Sequence, residues 1–396
     1  MFAKGRITTT GDVFRDEKSL AFDGTNDYVN VDGLSSVFST DSAFSLVFWF
    51  KCLNVGHGGG DDEHKEIIFS AHDSTDSYAN ILRLGVNPNN DSSPIGGIFV
   101  VDNSGNTTIY TDNGSADSGT KYFNNGKWHH LVLTNASGAG NTTSNVYIDG
   151  VQLTNYYTTS GGSDTNTLDV QWSDADKFSI AQEYDGSAAV SDNFFGNISE
   201  VAIYNSALTI NQVKTIYNGR EPYNHKEGVA SGNLQAWYRM GDGSLDEYAL
   251  IGDETNITLG NNLITNGTFD ADSDWAKSGS GATISSGQAT LDLDADTFIY
   301  QDVGTVGKVY KMTFDLVVTS GEVKLGTNAD FQYTYSAGTY TNESVYLIAT
   351  TTNRFIFRRA TGDLEATIDN VSVQQVGDNA GIMNNMSATD IEGDTP

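Results

Sequence analysis

From Ser19 onward the apolar residues of this chain arrive in short bursts, and that spacing limits what it can fold into. FSLVFWF (44–50), EIIFSA (66–71), NILRLGV (80–86), GGIFVV (96–101), KWHHLVLT (127–134), NVYIDGVQL (145–153) and DKFSIAQ (176–182) are each bounded by Gly, Asp, Asn and Ser. β-Branched and aromatic residues suit a pleated, half-buried surface, and the residues between them are those that close turns. Runs this short read as strands, and FSLVFWF is apolar enough to be buried on both sides. One stretch departs from the pattern. TINQVKTIYNG (209–219) reads as a helix, with Thr209 as its cap, Val213 and Ile216 on one face and Gly219 as its stop. Aromatic residues make up 11% of the chain, which argues against disorder for its bulk. The expectation is an all-β protein of packed sheets with one short helix.

At 396 residues the chain is too long for one ordinary sandwich, and two sandwich or jelly-roll domains in tandem are expected. Residues 1–18 are polar and read as an N-terminal arm. The first domain spans 19–244, from SLAFDGTNDYVNV through GNISEVAIYNSAL (196–208) to a last strand, LQAWYRM (234–240). That strand should return beside the start of the domain, because sheet edges need pairing. A Gly-, Asp- and Asn-rich stretch, 245–261, reads as a linker. A second β-pattern covers 262–376, and 377–396 reads as an acidic, polar tail without strand periodicity.

The chain carries 51 acidic against 21 basic residues, a net charge of −30. That field repels nucleic acid and anionic membranes, so neither is an expected partner. Acidity suits solubility in salt and supplies oxygen ligands for Ca²⁺. With Cys52 alone there is no intrachain disulfide and no zinc site built from cysteines. The first residues lack the apolar core of a classical secretion signal, and no apolar run is long enough to span a membrane as a helix. The Asn-x-Ser/Thr triplets at Asn141, Asn266 and Asn370 are then read as products of composition.

LAFDGTNDYVNV, FSLVFWFK, WHHLVLT followed by VYIDG, and GNISEVAIYNSALTINQVKTIYNG occur in an order that resembles the laminin-G-like and pentraxin branch of concanavalin A-like sandwiches. Within that frame Trp128 reads as a core aromatic. His129 and His130 alternate faces, one inward and one outward, and Asp149 and Gly150 shape a tight turn. AQEYDGSAAVSDNFFG (181–196) looks like the pentraxin calcium segment. The resemblance implies Ca²⁺ held by the side chains of Glu183 and Asp185, the carbonyl of Tyr184 and, after the loop, Asp192. The family's other ligand pair falls on STDSYANILRL, where only Asn80, or Asp76 further back, can serve. Glycosidases of this fold carry Glu-x-Asp-x-x-Glu, with the two glutamates about 5–5.5 Å apart in retaining enzymes. Glu183 and Asp185 begin that pattern, but position 188 is Ala, so the proton donor is missing. No Gly-x-Ser-x-Gly elbow, His-Glu-x-x-His or P-loop occurs, and a non-enzymatic protein is expected. His57, Asp61, Asp62 and His64 lie close in HGGGDDEHKE, although ordering the glycines there for a metal costs free energy.

NLITNGTFD, a following Asp-Trp and the closing ATIDNVSV resemble galactose-binding-like jelly rolls, which include many carbohydrate-binding modules. The resemblance implies that the opening and closing strands lie side by side and clamp a structural Ca²⁺ through Asp270 and Asp369. A simpler reading lets Asp369 and Asn370 shape a turn. Sugar-binding modules present ring faces to pyranoses, and Trp275, Tyr333, Tyr335 and Tyr340 are the candidates. Strand aromatics are more often core, so their exposure stays open. The paired domains and the acidic, Gly/Asn/Thr-rich style resemble marine bacteriophage virion proteins. That implies a virion structural protein, in a tail fibre, a tail-associated part or a capsid decoration. It would bind host-surface glycans, contact copies of itself or other virion proteins, and be released from the cell by host lysis. A secreted or surface adhesin and a glycan-active enzyme with an unrecognised site are the alternatives. No heptad repeat marks a coiled-coil stalk, so assembly would fall to sandwich faces or termini.

Overall fold

The strand Phe44–Cys52 is apolar at every position but Ser45 and Lys51 because it has two apolar surfaces to meet. In the computed structural model Leu46, Phe48, Phe50 and Cys52 enter the main core, while Val47 joins a separate cluster with Val132, Ala202, Val213 and Ile216. Val213 and Ile216 are the buried residues of the helix Ile210–Tyr217, so the helix covers the outside of the sheet. Thr209 accepts from the Gln212 N–H, and the Gln212 side chain reaches back to complete a capping box. The helix ends at Asn218, which takes the left-handed conformation one residue before the glycine expected to stop it.

The structure describes residues 14–53, 66–75, 80–86, 96–105, 107–111, 123–137, 142–158, 166–185, 189–246, 248–256, 258–292, 297–327, 330–349, 352–377 and 379–396. They divide into two compact units, Met1–Asn256 with Gly381–Pro396, and Ile257–Ala380.

The first unit has two nine-stranded antiparallel sheets among the described residues. One runs Val151–Leu153, Thr142–Ile148, Trp128–Asn135, Phe44–Cys52, Phe195–Tyr204, Ser19–Asp23, Ile391–Glu392, with Thr167–Leu168 beside Thr142–Ile148 and Leu234–Tyr238 beside Phe195–Tyr204. The other runs Asn155–Thr158, Thr107–Thr111, Ile98–Asp102, Asn80–Val86, Glu66–His72, Lys177–Ile180, Tyr28–Asn30, Gly381–Asn384, Leu250–Ile251. Their inner faces meet in one core, with the rings of Phe48 and Phe69 6.0 Å apart. Leu234–Tyr238 does return to the start of the domain. It pairs with the second half of Phe195–Tyr204, and Ser19–Asp23 pairs with the first half.

Two segments differ from the sequence reading. Within 245–261, expected as a linker, Leu250–Ile251 is a buried strand paired to Gly381–Asn384. Asp246 organises the glycines around it, accepting from the N–H groups of Gly241 (2.7 Å), Gly243 (2.9 Å) and Gly252 (2.6 Å). The segment expected as a free tail is built into both sheets. Met383 stands opposite Val29 and Ile391 opposite Leu20. Met383 and Met386 are buried in the main core, and the Asp394 carboxylate meets Lys51 and Trp128. Strands of two to four residues are too short to show a period of two, which is why neither was visible as a strand.

The second unit is a smaller jelly roll. Its six-stranded sheet runs Ala282–Ser285, Gln288–Asp292, Glu365–Val376, Val309–Ser320, Gly338–Ile348, with Leu259–Asn262 beside Glu365–Val376. Its five-stranded sheet runs Ala276–Ser278, Phe298–Asp302, Arg354–Arg359, Val323–Thr327, Asp330–Tyr335. Phe314 and Leu316 of the first sheet meet Ile299, Leu325, Phe355 and Phe357 of the second. A fully buried Phe contributes about 1.5–3 kcal/mol relative to exposure, and this row fixes which face of the five-stranded sheet points outward.

Candidate functional site

Because Ile299, Phe355 and Phe357 point inward, their neighbours along each strand must point out. The outward set is Phe298 and Tyr300 on one strand, Arg354, Ile356 and Arg358 on the next, and Lys324 on the third. Register brings them side by side. Phe298 pairs with Arg358, Tyr300 with Ile356, and Arg358 with Lys324. On the edge strand a bulge places Phe331 opposite Gly326, so its ring reaches the same surface.

Each ring there carries a cation. The Arg354 guanidinium lies 3.6 Å from the centroid of Tyr300, the Lys324 ammonium 4.2 Å from Phe331, and the Arg358 guanidinium 5.4 Å from Phe298. Phe298 and Tyr300 sit 6.0 Å apart. Asp302 holds Arg354 with two hydrogen bonds, from Nε at 2.8 Å and Nη2 at 3.1 Å, which raises the guanidinium pKa. Phe298, Tyr300, Phe331 and all three cations are half-buried, with part of each side chain in solvent. Such a surface offers apolar ring area together with fixed donors, the pairing that sugar recognition uses. The sequence reading missed these residues. The available signal was the alternation in FIYQD and RFIFRR, which places aromatic and basic side chains on one face.

The aromatics that the reading did single out are largely committed elsewhere. Trp275 is buried against Phe269 (5.1 Å) and its Nε1–H donates to the Asn266 carbonyl at 3.0 Å, so it is a core residue. Tyr335 is buried too, with its ring edge-on to Tyr340 at 4.8 Å and its hydroxyl donating to Glu343. Tyr333 and Tyr340 are half-buried, pack against the core, and donate to the carbonyls of Tyr346 and Ser336. They belong to the inner side of the jelly roll, because their strand positions face Leu325 and Leu316.

The opening and closing segments of the second unit do come together. Asn262, Asn266, Gly267, Thr268, Asp270, Asn370 and Val371 line an open depression of about 430 Å³. Asp270 is exposed there and accepts from the Thr268 hydroxyl at 2.8 Å. Asp369 is not part of the lining. It stands opposite Asp315 and accepts from the Asn370 N–H at 2.7 Å, in the turn-shaping role of the simpler reading. Asn370 itself has a left-handed backbone (φ 53°) and donates to Asp315. The depression thus offers one carboxylate, amide groups and a hydroxyl.

In the first unit Glu183–Asp185 forms a small hairpin with Ala189–Ser191. Glu183 is 3% exposed and its carboxylate meets the Arg83 guanidinium at 2.8 Å. Of the set that the calcium expectation names, Glu183 is thus paired with a cation through one of its carboxylate oxygens. Tyr184 is buried against His72 (6.1 Å), and burial pushes its phenol pKa up. Asn80 begins the neighbouring strand opposite His72. Asp192 has a left-handed backbone (φ 48°), and its carbonyl accepts from Ile67 at 3.4 Å. The Asp185 backbone pairs with Ala189. Its side chain, together with Asp76, Ala188, Asn141, His57, Asp61, Asp62 and His64, lies outside what the structure describes. Among the described residues no group of three or more His, Cys, Asp or Glu is arranged to hold a metal ion.

Around the Trp-His-His run the alternation of the two histidines holds, and the place of Trp128 changes. Trp128 is half-buried, its indole donating to Asp394 at 2.9 Å, and is not a core ring. His129 packs on Phe123 (5.4 Å) and meets Asp149 at 3.0 Å. His130 lies against Trp49 (5.0 Å) and Tyr217 (5.7 Å), and burial lowers its pKa to about 3. His129 faces the core beside Phe50 and Phe123, His130 faces the helix side beside Trp49 and Tyr217, and both are buried.

The fold defines a concanavalin A-like sandwich in tandem with a jelly roll. Residues 23–214 match the laminin-G-type model of the concanavalin A-like lectin/glucanases superfamily. A comparison with curated proteins gave no match. Among solved structures, a candidate carbohydrate binding protein of Bacteroides ovatus is 18% identical (TM-score 0.37), the match covering 62% of this chain and 57% of that one. The chain thus spans little more than half of that relative's length. A sialidase carbohydrate-binding module (CBM40) of Ruminococcus gnavus is 10% identical (TM-score 0.28), covering 50% of this chain and 97% of that one. Tailspike protein 2 of an Escherichia coli O157:H7 bacteriophage is 14% identical (TM-score 0.28), covering 59% and 31%.

Proposed function

We propose that this is a non-catalytic glycan-binding protein whose ligand lies across the outer face of the five-stranded sheet. The observation that carries the reading is the row of Phe298, Tyr300 and Phe331, each ring half in solvent and each beside a cation. Rings kept partly wet in register with fixed donors suit the apolar C–H faces and hydroxyls of sugars. Calcium enters the proposal at one place, the depression around Asp270, as a structural ion.

Binding to immobilised glycans tests this reading. Phe298→Ala, which removes a ring, and Phe331→Ala, which removes the backing of Lys324, should each weaken retention roughly tenfold without lowering the melting temperature. Unchanged retention in both variants would place the ligand elsewhere. Repeating the melt with EDTA reads the Asp270 site, where a calcium-free unit should unfold earlier.

We further propose that the protein is a structural component of a bacteriophage virion, in contact with copies of itself or with other virion proteins. What supports this is the pairing of the two domain types with an acidic, Gly/Asn/Thr-rich chain. Mass spectrometry of purified virions should find it, and its absence there would leave the adhesin reading in place.

A further inference from the structure

We infer that the ring-and-cation face takes an acidic glycan, one whose sugars carry carboxylate or sulfate groups. The inference rests on the glycan-binding reading above and names the ligand class for the same face.

Charge distribution is the first argument. Basic residues number only 21 in a chain of net charge −30, yet Lys324, Arg354 and Arg358 share one sheet face. Lys324 and Arg358 are direct register partners, and neighbouring strands lie about 4.8 Å apart. Groups that close act together on one ligand. The acidic residues elsewhere are screened over about 8 Å at physiological ionic strength. Asp302 answers Arg354 on this face, so its local positive sign, opposite to that of the molecule, rests on Lys324 and Arg358.

Geometry is the second argument. A face built for neutral sugars keeps its rings open for stacking. Here the guanidinium of Arg354 already covers Tyr300 at 3.6 Å, and the ammonium of Lys324 covers Phe331 at 4.2 Å. A ligand at those positions meets cations backed by rings. Asp302 fixes Arg354 in place through two of its five N–H donors, so the guanidinium plane is set before any ligand arrives. Planar guanidinium groups match the paired oxygens of carboxylate and sulfate. Phe298, with its nearest cation 5.4 Å away, keeps a ring for the C–H face of the sugar. Single-stranded nucleic acid is the other polyanion to weigh, but its bases need open ring faces, of which this surface keeps fewest.

Calorimetric titration of the intact protein separates the cases. The probes are an oligogalacturonate, a sulfated galactan, a neutral galactan oligosaccharide and oligodeoxythymidylate, each at about 50 and about 300 mM salt. The two acidic glycans should bind at least roughly tenfold more tightly than the neutral one, and more weakly at high salt. Their ratio reports whether carboxylate or sulfate is preferred. Arg358→Gln combined with Lys324→Gln keeps the aliphatic stems. It should remove that preference and its salt dependence while leaving the melting temperature unchanged. Equal, salt-insensitive binding of all three glycans overturns the acidic assignment but keeps the glycan-binding face. No binding of any glycan overturns both. Tighter binding of the oligonucleotide than of either acidic glycan also overturns the assignment.

Discussion

At the scale of single residues, the buried acids of the first unit carry a consequence for pH. Glu200 is fully buried with a left-handed backbone (φ 48°), at a break in register between Phe195–Tyr204 and Phe44–Cys52. Trp237 donates to it at 2.6 Å and Arg239 at 3.1 Å. Asp16 lies beside this pair, and burial together with the Glu200 charge raises its pKa from 3.8 toward about 9. Burial raises the Glu200 pKa as well, opposed by Arg239. The folded state therefore holds protons that the unfolded chain has released. Stability from these groups is complete below the unfolded value of 3.8 and is lost as pH climbs toward about 9. Urea midpoints should fall from pH 6 to pH 9, and Asp16→Asn should flatten that slope. A wild-type midpoint that stays level would show that Asp16 is ionised in the fold. The Arg83–Glu183 pair was out of reach of sequence reading for a related reason. The acidic segment was visible, but the cation that answers it lies a hundred positions earlier, on another strand.

At the scale of elements, what could be read was what repeats within a strand. Phe44–Cys52 declared itself by an unbroken apolar run, and the helix Ile210–Tyr217 by Thr209, Val213 and Ile216. Leu250–Ile251 and Gly381–Asn384 are too short for any period, and only their partners make them strands. The candidate face was half legible. FIYQD and RFIFRR each alternate, but only register brings Phe298 beside Arg358, and register is a property of two strands. Tyr333, Tyr335 and Tyr340, the candidates of FQYTYSAGTY, pack toward the core. A period of two says that faces differ and leaves open which one is wet.

At the scale of the whole molecule, the chain leaves the first unit after Asn256, builds the second, and returns at Gly381 to complete the first. The returning segment closes both sheets, through Gly381–Asn384 in one and Ile391–Glu392 in the other. Deleting residues 381–396 should therefore lower the melting temperature of the first unit and leave the second unchanged. Two resolved calorimetric transitions, of which only one moves, would be the expected trace. A first unit that melts as before would show that these strands are ornamental. Asp394, bound to Lys51 and Trp128, is the side chain whose loss should reproduce part of the effect.

The same return sets an order of completion during synthesis. Ile257–Ala380 is one continuous stretch and can close as it leaves the ribosome. The earlier unit must wait, with Ser19–Asp23 and Tyr28–Asn30 lacking their outer neighbours until the last strands are made. For that interval the nascent chain shows open strand edges, the form in which β-proteins are most prone to pair with the wrong chain and where a chaperone has most to shield.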